Sequence, residues 1–155
     1  MAIKYINGAD NAPDAVGPYS QATIIEKTVY LSGQIPLNPK TGKLVEGDVE
    51  DQANQVMKNL VAVLGHMGLD FSHVVKTGIF LTDLSKFQLV NGVYSKWMGA
   101  YRPARATVQV AALPLGAQVE VEMIATLESL DHDILPEGSA KDLEDVASES
   151  YSCKS

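Results

Sequence analysis

Arg105, Thr107, Glu120 and Glu122 are the residues of this 155-residue chain whose types and spacing best suit chemistry. They flank Leu113–Gly116, a Pro/Gly turn between two runs, from Arg102 to Glu122, in which β-branched and polar residues alternate. Read as a hairpin with Ala112 opposite Ala117, the runs set Thr107 opposite Glu122 and Gln109 opposite Glu120. Alternation along a strand then gathers Arg105, Thr107 and Gln109 on one face with both glutamates. Val108, Val110, Val119, Val121 and Met123 take the other face as core. A guanidinium holds a carboxylate through two charge-assisted hydrogen bonds, and a carboxylate can draw a proton from water. Acid/base work beside an anion clamp is therefore open to this hairpin. A plain solvated sheet face with cross-strand charge pairs fits the same pattern, which does not choose between them.

Other site chemistries lack their residues. His66, His73 and His132 have no mutual or cysteine spacing of a metal site, so no metal is expected. Neither GxGxxG nor GxxxxGK occurs, and no cofactor is implied. The one cysteine, Cys153, stands near the end of the chain, away from every candidate, and leaves no internal disulfide.

Formal charge is −7, and residues 129–155 hold seven acids against two lysines. The remaining −2 is spread over residues 1–128, and neither part offers the basic stripe that a phosphate backbone requires, so nucleic acid is not an expected partner. No run approaches the roughly 18 apolar residues of a membrane span, and the first residues lack a secretory apolar stretch. The cytoplasm is the expected compartment.

The elements that must position the candidates follow from periodicity. A short strand is expected at 3–6, then a turn-rich loop over Asn7–Pro18 that delivers Tyr19 behind a Gly-Pro pair. Gln21–Glu26 and Thr28–Ser32 read as a hairpin ending at Ser32-Gly33-Gln34, where a glycine permits close approach to a ligand or marks a bulge. A helix is expected from about 49 to 67, capped by Asp48 and ended at Gly68, with Val49, Ala53, Val56, Leu60, Val63, Leu64 and Met67 as its apolar stripe. Val74–Thr82 reads as a strand apolar on both faces, with Val75, Ile79 and Leu81 on one and Val74 and Phe80 on the other, suiting a central position or an interface. A second helix is expected behind the capping box Ser85-Lys86-Phe87-Gln88, running to about Met98 through Phe87, Val90, Tyr94 and Trp97. Asn91 lies beside that stripe, as a hydrogen-bonded structural group or a ligand contact. The order predicts an α+β domain over residues 1–128: one mixed sheet with two helices covering one face. Residues 129–155, acidic and serine-rich, read as a mobile tail with at most a short helix at Ser139–Ala147.

Four stretches resemble one family. Arg102-Pro103-Ala104-Arg105-Ala106-Thr107-Val108-Gln109-Val110-Ala111-Ala112-Leu113-Pro114-Leu115-Gly116-Ala117-Gln118-Val119-Glu120-Val121-Glu122 resembles the signature of the reactive-intermediate deaminases, the RidA/YjgF family. Gly17-Pro18-Tyr19-Ser20-Gln21, Leu31-Ser32-Gly33-Gln34-Ile35-Pro36 and Val90-Asn91-Gly92-Val93-Tyr94 match it in the same order, so the resemblance covers residues 1 to about 128.

The resemblance implies a chorismate-mutase-like fold and a homotrimer with sites in the clefts between subunits. It implies hydrolysis of 2-imino or 2-enamino acids, such as 2-aminoacrylate and 2-iminopropanoate, to 2-oxo acids and ammonia. By it Arg105 is the substrate-carboxylate clamp and Glu120 positions the attacking water. Tyr19, Asn91 and Thr107 line the pocket and the Ser32-Gly33 backbone shapes its floor, while Glu122 serves structure. Some relatives carry cysteine where this chain has Thr107, so a thiol role there does not transfer. A ribonuclease or translation inhibitor is the alternative that the family's labels raise, disfavoured by the acidic charge; a non-catalytic ligand-binding regulator or chaperone-like protein is the third.

Overall fold

A computed structural model describes residues 1–132. The helix expected at Ser139–Ala147, and with it most of the acidic tail, lies outside the described residues. Six strands form one mixed sheet: β1 (Ile3–Ile6), β2 (Ala22–Ile25), β3 (Thr28–Gln34), β4 (Val74–Leu81), β5 (Ala104–Gln109) and β6 (Val119–Thr126), in the order β1-β2-β3-β6-β4-β5. Two helices, α1 (Val49–His66) and α2 (Phe87–Met98), supply the rest of the core. The fold class is the one the sequence order predicts.

Local chemistry explains the helix ends. Asp48 caps α1 by accepting from the Asp51 N–H, and the Asp51 side chain accepts in return from the Asp48 N–H. Behind that cap Val49, Ala53, Val56, Leu60, Val63 and Leu64 are all buried, and Gly68 takes the positive φ that ends the helix. The capping box expected at Ser85 does not form. Asp83 caps a 3-10 turn instead, accepting from the N–H and hydroxyl of Ser85, and α2 begins only after it. An acid two residues upstream takes the serine first.

The hairpin expected from Arg102 to Glu122 is also absent. β5 pairs with β4 in parallel, joined to it through α2 as a β-α-β crossover, and β6 inserts between β3 and β4, antiparallel to both. The Leu113–Gly116 turn exists, as a 3-10 turn with Leu115 and Gly116 at positive φ, but the segment that contains it passes around the end of β4. Alternation is satisfied equally well against either neighbour.

Register then decides every face. Thr77 is level with Arg105 on one side and Met123 on the other, and Ile79 with Thr107 and Val121. These six point to the helices. Phe80 is level with Val108 and Glu120, and Gly78 with Ala106 and Glu122, on the opposite, outer face. Val119, Val121 and Met123 are core as expected, whereas Val108 is 45% exposed on the outer face. A bulge between Val74 and Lys76 shifts the phase of β4, so that Val74, Thr77, Ile79 and Leu81 are buried and Val75 is exposed, the reverse of the expected assignment for the two valines. The outer face also carries Tyr5, Thr23, Tyr30, Ile124 and Lys76. Among the described residues no helix is long and apolar enough to cross a membrane.

Candidate active site

The candidates fall into two groups separated by the sheet. The first is built on the edge strand β5 and on α2. Arg105 is half-buried, and its Nη1 donates to Asn91 Oδ1 at 2.8 Å. Its Cζ stands 5.0 Å from the centre of the Tyr94 ring and 5.6 Å from that of Phe87. The ion pairs found among the described residues are Lys27–Glu128 and Asp70–His73, and neither includes Arg105. Two residues further along β5, Thr107 Oγ1 is buried with no hydrogen-bond partner among the described residues.

The second group lies on and beside the outer face. Tyr19, 51% exposed, borders an open cleft of about 600 Å³ with Tyr5, Thr23, Tyr30, Ser20 and Ser32. Its loop is fastened from the sheet. Buried Gln21 accepts from the Ala9 N–H and donates to the Pro13 carbonyl, while the Tyr19 hydroxyl accepts from the Val16 N–H. Ser32 contributes to this fastening: its hydroxyl donates to the Ser20 carbonyl and its N–H to that of Gln21. Both Ser32 donors are thus engaged within the chain.

Gly33 lies within the bulge of β3, between Leu31 and Gln34, and under Glu120. A methyl group at Gly33 would collide with the Glu120 carboxylate, so the glycine is what allows that side chain to lie flat across β3. Gly78 plays a milder version of the same part for Glu122, with the carboxylate 3.1 Å from where a Cβ would stand. Burial, and after it the like charge of Glu122, pushes the Glu120 carboxyl above its ordinary range.

Arg105 and Thr107 therefore do not share a face with Glu120 and Glu122, contrary to the hairpin reading. The structure brings Arg105 to Asn91, and Glu120 to Gly33, and keeps the two groups apart. Sequence reading also missed Phe87 and Tyr94 as neighbours of Arg105, having counted them only as core of α2. Their spacing with Asn91, four and then three residues along one helix, was the available signal. Among the described residues no cluster of three or more His, Cys, Asp or Glu side chains could hold a metal.

This combination of a six-stranded mixed sheet, two helices and an unneutralised arginine on the edge strand belongs to a known class of small α+β proteins. The family model described as Endoribonuclease L-PSP matches residues 9–127. Protein DfrA of Myxococcus xanthus is 57% identical over 127 residues, 81% of this chain and 96% of its own. A 2-iminobutanoate/2-iminopropanoate deaminase of Homo sapiens is 44% identical over 123 residues, 79% of this chain and 90% of its own. The crystal structure of YyfA from Yersinia pestis, described as a protein of the conserved Rid family, superposes with a TM-score of 0.78 at 49% identity, covering 81% of this chain and all of that one. The chain belongs to the RidA/YjgF family.

Proposed function

We propose that the protein hydrolyses 2-imino acids to 2-oxo acids and ammonia. One observation carries the reading: Arg105 is a half-buried cation held by a neutral amide and two ring faces, with no acid paired to it among the described residues. A planar, permanently charged fork in that setting suits a substrate carboxylate. The human relative's name supplies the substrate class.

Glu120 is the base. Its carboxylate takes a proton from water as the water oxygen bonds to the imine carbon. The C=N electron pair moves to nitrogen, which takes up the proton from Glu120. In the resulting carbinolamine the hydroxyl proton passes through Glu120 to the amino nitrogen, the C–N bond breaks and ammonia leaves, so that one water is consumed for each 2-oxo acid formed. The imine is reactive by itself, and general-base help of ~10²–10⁴-fold suffices. The free Thr107 hydroxyl and the Gly33 backbone orient the substrate, and Tyr19 closes the cleft on the outer face.

These roles require two copies of the chain. Arg105 at the sheet edge and Glu120 on the outer face are divided by the sheet, so one chain cannot present both to one small molecule. A neighbouring copy can, if the edge at β5 of one chain meets the outer face of the next. The part-exposed Tyr5, Tyr30 and Val108 on that face favour such burial. A closed homotrimer with three clefts is the proposed assembly.

The test is release of 2-oxo acid and ammonia when a serine or threonine dehydratase generates imine in situ. Wild-type protein should accelerate release over buffer, and Arg105→Ala should not. Cleavage of RNA by a protein that leaves imine hydrolysis at the buffer rate would replace this reading with the ribonuclease one.

A further inference from the structure

Arginine on an edge strand carries a long side chain whose rotamers a ligand must otherwise freeze. α2 freezes them in advance. Phe87, Asn91 and Tyr94 stand at i, i+4 and i+7 on one stripe of the helix, and all three meet the Arg105 guanidinium. Asn91 engages one nitrogen by a hydrogen bond, and the two rings offer their faces to the central carbon. Tyr94 is itself immobilised. It is buried, and its hydroxyl and that of Thr77 share a hydrogen bond of 2.9 Å inside the core. Thr77 is in turn the β4 residue level with Arg105. The strand pair thus sets both the Arg105 backbone and the ring that its side chain rests against.

We infer that Phe87 and Tyr94 are positioning residues for the Arg105 clamp. They hold the guanidinium plane so that, with Asn91 on Nη1, the rest of the fork is presented to the incoming carboxylate already oriented. Core packing alone would account for one buried ring. It does not account for two rings and an amide converging on one cation that no acid among the described residues neutralises. The inference rests on reading Arg105 as the carboxylate clamp and adds the residues that orient it.

The test uses 2-oxobutanoate, a stable product analogue, as the probe. Its dissociation constant is measured by calorimetry on the wild-type assembly and on Arg105→Ala, Tyr94→Leu, Tyr94→Phe and Phe87→Leu, each with a melting curve. Tyr94→Leu and Phe87→Leu should each weaken binding by about tenfold, and raise KM for the imine more than they lower kcat. Tyr94→Phe retains the ring and should retain most of the affinity. Relaxation of the Arg105 Nε–Hε resonance should report a mobile side chain in the leucine variants and a rigid one in the wild type. Loss of melting temperature with unchanged affinity and an unchanged Nε–Hε signal in the leucine variants would overturn the inference. If Tyr94→Leu does not fold, Phe87→Leu decides alone. Binding unaffected by Arg105→Ala would instead overturn the clamp itself, a separate result.

Discussion

Arg105 and Glu120 lie on opposite faces of the same sheet, fixed there by the registers of Thr77 with Arg105 and of Phe80 with Glu120 on β4. If catalysis needs both, inactive chains should complement one another. Arg105→Ala and Glu120→Ala proteins, each inactive, are mixed, dissociated and reassembled. Random assembly should rebuild roughly a quarter of the sites from one intact arginine and one intact glutamate. Turnover that stays at the level of the separate variants would show that each chain works alone.

Arg105→Lys keeps the charge and discards the two-pronged geometry. KM for the imine should rise roughly ten- to a hundredfold, with little change in the melting curve. Near-normal kinetics would reduce Arg105 to a surface charge.

Gly33→Ala tests the seat of Glu120. The added methyl meets the end of a flexible side chain, so the fold should survive with a small change in melting temperature. The carboxylate must move off β3, and turnover should drop by about 10²-fold, comparable with Glu120→Gln. Full activity in Gly33→Ala would mean that the position of the Glu120 carboxylate is immaterial.

The pH dependence has a defined sign. The Glu120 carboxyl is held high first by burial and then by Glu122, so the folded chain keeps this proton to a higher pH than the unfolded one. Its contribution to stability is largest below the unfolded value and falls as pH rises through the folded value. A general base acts deprotonated, so the acid limb of kcat/KM should stand above the ordinary carboxylate range. Glu122→Gln removes the second cause and keeps the first, and should move that limb to lower pH while leaving the plateau intact. Lys76 is the nearby cation on this face of β4 and is unchanged in the comparison. A limb that stays in place would show that the two carboxylates do not sense each other.

What could be read from the sequence was local. Helix α1 announces itself through Asp48 and a stripe from Val49 to Leu64, because cap and periodicity are set within a few residues. The β2–β3 pairing was legible for the same reason: Glu26 and Lys27 turn β2 directly into β3. The partners of β5 and β6 were not. Alternation names the two faces of a strand, but not the neighbour on either side, and the interposed β4 moves the pairing by one residue. That single step turns Arg105 and Thr107 to the helix side and Val108 to the outer face, while the valines of β6 stay in the core and its glutamates outside. Types and spacing singled out Arg105, Thr107, Glu120 and Glu122 as candidates, whereas the roles expected of them, and Tyr19, Ser32, Gly33 and Asn91 as pocket residues, came from the resemblance. Rings such as Phe87 and Tyr94, which pack against the core and also meet the Arg105 guanidinium, look identical to plain packing in a one-dimensional pattern.

The β4–α2–β5 crossover has a consequence for how the molecule comes together. Asn91 and Tyr94 meet their partners Arg105 and Thr77 across only 14 and 17 residues of chain. Gly33 and Glu120 stand at opposite ends of the domain's sequence and meet only when β6 threads between β3 and β4. Short loops close before long ones. During refolding the cluster of Arg105, Asn91 and Tyr94 should therefore form first, and the seat of Glu120 on Gly33 only after β6 has threaded into place.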